Sequence, residues 1–337
     1  MSRRRVIQAA VLLIIGLLIL YGLLRTVHPG EVAAAIRGAS LGWITLGLLS
    51  SVGFIAVRSW RWQIILQASV PDAPLADAAA VTAVGFAVNS VSPFKLGELL
   101  RIGAIAQRLR IGVGEAGATV ILERVLDVLA LLVLAVGAAL LSGRSSNAGG
   151  VWGGLAALSG VSVVVGIAAY AMVLNRERSL SIAARLAVRL PVRLRKPLLD
   201  LADSILRGLT LLRSPGRFVA TGVLSLVIWM VPVLGLTAYF RSVSGQLHPV
   251  TLFLALTLFT ITQAISVTPA SVGTFEGLFV LVLTAFGASP ASVLTAAAVI
   301  AHVGGIAALL VMGAFGALWL RVNRPALPVR LKRSVPG

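Results

Sequence analysis

Glu123, Arg124 and Asp127 interrupt an otherwise apolar stretch, residues 115–141. A charged side chain at the centre of a membrane helix costs about 2.5 to 3.5 kcal/mol even on insertion scales, so all three must face protein or water rather than lipid. Glu123 and Asp127 are four apart and share a helix face, while Arg124 and Asp127 are three apart and can pair. Two readings stay open. The group is an internal ion pair that fixes helix packing, or Arg124 is kept available for a phosphate while the acids orient it or carry a proton. Glu98 and Arg101, also three apart, pose the same question in a broken segment. Glu276 is the only acid after Asp203, with no basic residue nearer in sequence than Arg241 and Arg321, and is therefore either neutral or paired across to the other half of the chain.

The broken segments share a pattern. Ser90-Val91-Ser92-Pro93-Phe94-Lys95-Leu96-Gly97 matches Ser266-Val267-Thr268-Pro269-Ala270-Ser271-Val272-Gly273 as S-V-[ST]-P-x-x-x-G, and Glu98 and Glu276 follow. A proline after Ser or Thr starts a helix readily because its missing N–H would have been unpaired, and a helix N-terminus attracts anions, phosphate above all. The plain alternative is that Pro93 and Pro269 end helices at a membrane boundary. If the two segments are equivalent, Glu98 and Glu276 each fall in the first turn or two of a half-helix, facing one central cavity.

Elements that could hold such groups follow from composition. Of 337 residues, 58% are hydrophobic and 12% charged, with a mean hydropathy of +1.00, which excludes an ordinary soluble enzyme at about 25% charged. Residues 6–24, 41–57, 115–141, 151–174, 218–240 and 291–320 are each apolar enough to cross a hydrocarbon core of about 30 Å. Residues 75–108 and 250–288 are apolar but broken by proline, glycine and polar residues, which hydrocarbon tolerates only where protein or a wet cavity satisfies the backbone. The expected fold is an all-α polytopic membrane protein, six full transmembrane helices plus two re-entrant or broken hairpins. The first half, residues 1–141, and the second, residues 151–320, then run in opposite senses, an inverted repeat within a single transmembrane domain, residues 1–337.

The formal charge of +18 would point to nucleic acid in a polar chain; here it points to the cytoplasmic membrane face. Of the 29 Lys and Arg, only Arg25, Arg37, Arg144 and Arg241 fall in predicted outer loops, and Arg124 lies within a helix. Both termini are thus expected inside, at a prokaryotic plasma (inner) membrane. Residues 176–217 alternate basic residues with leucines, with Arg185, Arg189 and Arg193 every four residues, and read as two amphipathic helices on the inner leaflet that anchor the chain or collect headgroups. Arg58 and Arg61, flanked by Trp60 and Trp62, read as an interfacial belt at the end of the second span. His302, beside Gly304-Gly305, reads as a packing or hydrogen-bonding residue. With no cysteine and three dispersed histidines, neither a metal site nor a cofactor is expected.

Arg58-x-x-Arg61-Trp62, Asn89-x-x-x-Pro93-x-x-x-Gly97-Glu98-x-x-Arg101, Glu123-Arg124-x-x-Asp127 and Pro269-x-x-x-Gly273-x-x-Glu276 resemble, in order, the lysylphosphatidylglycerol synthase transmembrane-domain family. The resemblance implies a flippase-like lipid translocator, moving a phospholipid or polyprenyl-phosphate-type lipid between leaflets. Two departures stand out: Ala270 and Ser271 replace the glycine usual just after the proline, and the sequence ends at Gly337 without the family's aminoacyl-transferase domain. A stand-alone member that is not an enzyme is therefore expected. The candidate substrate-binding set is Asn89, Ser92, Pro93, Gly97, Glu98, Arg101, Glu123, Arg124, Asp127, Thr268, Pro269, Gly273 and Glu276, with Arg58, Arg61, Arg185, Arg189 and Arg193 at headgroups or the interface. Two other functions compete: an intramembrane headgroup-modifying enzyme built on Glu98, Glu123, Asp127 and His302, and a scaffold docking a lipid-modifying glycosyltransferase through residues 176–217.

Overall fold

The computed structural model describes residues 14–23, 25, 27–92, 95–141, 175–188, 214–263 and 268–323, with scattered positions between 191 and 206. These form eleven α-helices, and no strand occurs among the described residues. In chain order they are α1 (Ile14–Leu23), α2 (Pro29–Arg37), α3 (Leu41–Leu66), α4 (Leu75–Val91), α5 (Leu96–Leu109) and α6 (Val113–Leu141). There follow α7 (Arg176–Ala187), α8 (Pro215–Ser242), α9 (Pro249–Thr262), α10 (Thr274–Ala285) and α11 (Ala291–Val322). Among the described residues, α3, α8 and α11 are both long and apolar enough to cross a membrane. α6 has 29 residues but carries the charged interruption.

Both broken regions are pairs of short helices. α4 and α5 meet at residues 92–95, where Lys95 takes a left-handed conformation (φ 51°). α9 and α10 are joined through a 3-10 turn at Pro269–Ser271, with Ala270 (φ 50°) and Ser271 (φ 55°) also left-handed. The conformation usually given to glycine is thus taken here by alanine and serine, at roughly 1–2 kcal/mol per residue.

Apolar side chains gain nothing by leaving lipid for another helix, so the helices must meet by close contact of small residues. α3 packs along α8, with Gly47 beneath the Tyr239 ring and Gly235 against Ser50. α4 packs on α11 in the same way, Gly313 against Ala87 and Gly316 against Ala80. Several other pairings come in reciprocal sets: α9 lies on α6 as α4 lies on α11, α6 touches α8 as α11 touches α3, and α5 meets α6 as α10 meets α11. Leu46, Leu49, Val223, Val227, Val311 and Phe315 remain on the outer surface, as a lipid-facing rim requires.

One boundary differs from expectation. The second span does not stop at Val57 but continues to Leu66, carrying Arg58, Arg61 and Trp62 with it. Residues spaced i, i+3, i+4 and i+7 from Arg58 share a face, and Arg58, Arg61, Trp62 and Ile65 are all fully buried while Trp60 points away. Hydropathy read the charges as an end; their partners allow the helix to go on.

Candidate functional site

α6 supplies the acids of a buried ion cluster. Thr119, Glu123 and Asp127, each four residues apart, project from one face toward α3 and α5. Glu123 Oε2 accepts from Arg101 of α5 at 2.6 Å, and its Oε1 faces Arg61 of α3 at 3.3 Å. Asp127 accepts from Arg58 Nη2 and lies 2.8 Å from Arg61 Nη1. Arg61 also donates to Ser225 of α8 at 2.7 Å. The relative exposures of Arg58, Arg61, Arg101 and Glu123 are all 0%, so the charges are held without water at their surface and depend on one another.

Aromatic rings complete their enclosure. The Arg58 guanidinium lies 4.9 Å from the Phe86 ring and 5.2 Å from Phe54, and Arg101 lies 4.1 Å from Trp62. Trp62 is itself fixed by donating to Thr119 at 3.1 Å.

Arg124 is the exception. Its Nη2 lies 3.5 Å from Glu98 and 3.4 Å from Asp127, beyond hydrogen-bond geometry, and 37% of its side chain is exposed. It faces a cavity of about 470 Å³ whose wall also includes Asn89, Ser92, Lys95, Glu98 and Asp127 from the first half. The second half adds Trp229, Thr260, Gln263, Ser271 and Phe275. Beside it is a cavity of about 230 Å³ lined by Pro232, Leu236, Tyr239, Phe259 and Ala301. Phe54, Trp229, Thr260, Gln263, Phe275 and Leu309 belong to both walls, so a charged chamber abuts an apolar one.

The two breaks border the charged chamber differently. In the first, Asn89 Oδ1 accepts from the Gly97 amide at 2.7 Å and Asn89 Nδ2 approaches Glu98 at 3.4 Å. Glu98 thus remains at the cavity, 3.3 Å from Arg101. In the second, Glu276 itself accepts from the Gly273 amide at 2.8 Å, and its other oxygen meets His302 Nδ1 at 2.6 Å. His302 Nε2 donates to the Ala270 carbonyl at 2.8 Å, and its ring stacks on Phe275 with centroids 4.4 Å apart. Because Ala270 offers only an acceptor, the Nε2 proton is fixed, and one further proton is shared between Nδ1 and the Glu276 carboxyl.

The sequence pattern of the lysylphosphatidylglycerol synthase TM region matches residues 7–316, nearly the whole chain and every element of this site. The chain belongs to that family. It is a helical membrane protein with a role tied to membrane lipid, and only the transmembrane region of the synthase is matched. It is also similar to a UPF0104 membrane protein of Methanothermobacter thermautotrophicus, 28% identical over 131 residues. That match covers 38% of this chain and 39% of the relative's own length.

For this family member, several expected site residues converge and others do not. Asn89, Ser92, Glu98, Arg124 and Asp127 line the charged chamber, with Glu123 and Arg101 directly behind them. Gly97 presses on the Gly85 carbonyl and Asn89, and Gly273 (φ 75°) on the Gly16 carbonyl, so both glycines are close-approach points. Thr268 bonds Thr274 at 2.8 Å and, with Pro269, shapes the second turn. Pro93, Arg189 and Arg193 lie outside the described residues, and Arg185 is exposed on α7.

Three expectations are corrected. Arg58 and Arg61 are not interfacial; α3 turns them inward onto α6, where the acids hold them. The ion pairing of Glu123, Arg124 and Asp127 is not confined to α6: Arg124 does lie 3.4 Å from Asp127, as their spacing allows, but the acids' shorter contacts go to α3 and α5. Glu276 does not face the shared cavity with Glu98 but turns to His302. The sequence reading also missed Trp229, Gln263 and Phe275. A Trp and a Gln inside apolar helices were the available signal, but nothing in the sequence says that they face Arg124.

Proposed function

We propose that this protein moves a lipid with a phosphate-containing, anionic headgroup between leaflets of a prokaryotic plasma membrane. The observation that carries this reading is the pair of adjoining chambers: Arg58, Lys95 and Arg124 at one, apolar helix faces at the other, with walls from both halves. A headgroup and the start of its chain need that combination. The reciprocal packing of α3 to α6 against α8 to α11 supports an inverted repeat, the arrangement that lets one central site open to either side. Six full spans and both termini cytoplasmic fit this plan, the span expected at residues 151–174 lying outside the described residues. Omitting the buried Arg58, Arg61 and Arg101 from the charge count leaves the inward bias intact. In this scheme α7 and the basic segment around it rest on the inner leaflet.

Arg124 is the residue that meets the headgroup, since it is part-exposed at the cavity and its Nη2, though 3.4–3.5 Å from Asp127 and Glu98, makes no hydrogen bond. Purified protein in liposomes carrying a fluorescent anionic phospholipid should make label in the inner leaflet accessible to an external quencher without altering the lipid. Arg124→Gln should lower that rate about tenfold or more, the scale of one charge-assisted contact, while its thermal melting stays close to wild type. Equal rates in the variant would remove Arg124 from the pathway. A changed headgroup would favour the enzyme, and neither movement nor change would favour the scaffold.

A further inference from the structure

The charge balance of the site narrows the headgroup. Arg58, Arg61, Lys95, Arg101 and Arg124 act on one another and on Glu98, Glu123 and Asp127, which makes five cations against three acids. All 11 acidic side chains of the sequence fall among the described residues, so each can be placed. The other acids are placed elsewhere. Asp77 pairs with Arg108, Glu276 with His302 and Glu31 with His28, while Asp72, Glu177 and Asp200 are exposed. Glu115 stands about 12 Å along α6 from Glu123, and Asp203 lies between α7 and α8. Two positive charges are left over in a site walled by aromatic rings and apolar helices, where an uncompensated charge is far more costly than in water.

Unpaired hydrogen-bonding atoms point the same way. Apart from Asp127 Oδ1, an acceptor that already faces Arg61 Nη1 at 2.8 Å, the unpaired buried atoms on this wall include Ser92 Oγ, Arg124 Nη2, Trp229 Nε1 and Gln263 Nε2. Each can donate, and three of the four can only donate. The missing ligand is therefore rich in acceptors and carries about two negative charges. A phosphomonoester has three terminal oxygens and a charge of about −1.5 to −2 at pH 7. A phosphodiester offers fewer free oxygens and one charge, and a headgroup bearing an amine brings a cation to a site already in excess.

We infer that the chamber selects a lipid phosphomonoester, the terminal phosphate among Arg124, Lys95 and the free donors, and the chain in the apolar chamber beyond Phe275 and Trp229. This rests on the lipid reading above and specifies its headgroup. The test measures binding to the full chain in detergent of phosphatidic acid, phosphatidylglycerol and inorganic phosphate, at pH 7.5 and pH 5.5. Phosphatidic acid should bind about tenfold or more tightly than phosphatidylglycerol at pH 7.5. That ratio should shrink at pH 5.5, because protonation near pH 6 takes the second charge off the monoester. Arg124→Gln should erase the preference, and inorganic phosphate should compete only weakly because it lacks the chain. Equal binding of the two lipids, or a ratio independent of pH, overturns the phosphomonoester assignment and leaves lipid transport standing. Tight inorganic phosphate with no lipid binding overturns the lipid reading and keeps the charge argument, and no binding of any probe overturns both.

Discussion

The two helix breaks start from one sequence pattern and reach opposite chemistry. After the first, the Gly97 amide is satisfied from behind by Asn89, which leaves Glu98 at the cavity with Arg101 and Arg124. At the corresponding place in the shared sequence pattern, four residues before Pro269, stands Ile265, whose side chain has no acceptor. Glu276 folds back onto the Gly273 amide and is held there by His302. One acid stays at the cavity wall, and the other is consumed by the turn. The first break is a charged wall, and the second is a rigid, nearly neutral one that presents Ser271 and Phe275.

The largest effect that would test this contrast is on folding. Asp127→Asn strips partners from Arg58 and Arg61, both fully buried, and should destabilise the protein by about 3–5 kcal/mol. Glu276→Gln keeps an oxygen for the Gly273 amide and disturbs only the His302 contact, so about 1–2 kcal/mol is expected. Denaturant unfolding of the two variants side by side measures the difference. If Glu276→Gln proves as damaging as Asp127→Asn, the second break is as dependent on buried charge as the first.

Where the breaks should behave alike is at their glycines. A Cβ at Gly97 would meet the Gly85 carbonyl, and one at Gly273 the Gly16 carbonyl at a positive φ. Gly97→Ala and Gly273→Ala should each cost about 2–3 kcal/mol, read as lowered melting temperatures in detergent. A tolerant Gly273 would mean that α1 yields where α4 does not. The smallest effect concerns strain. Ala270→Gly relaxes a left-handed residue at some cost in chain entropy and should stabilise by about 1 kcal/mol or less.

Much of this protein was legible because the signals are local. Apolar runs, the S-V-[ST]-P-x-x-x-G pattern and the cost of Glu123 and Asp127 in hydrocarbon depend on residues adjacent in the chain, and the elements formed where those signals stand. The partners of the charges were not legible. Arg58 and Asp127 are 69 residues apart, and Arg61 and Ser225 are 164 apart. A run of charges beside tryptophans reads as the end of a span until a neighbouring helix is known to carry acids at the same depth.

The amino-acid sequence by itself determined that this chain is helical, membrane-bound, broken twice and richer in basic than acidic groups, because each of these is a property of composition or short spacing. Only the tertiary structure decided which of those charges are neutralised. Long side chains pair according to how their helices cross, and the crossing of α3, α5 and α6 buries Arg58, Arg61 and Arg101 against two acids and leaves Arg124 at the cavity wall. The same crossing decided that Glu98 and Glu276, equivalent in pattern, face different partners.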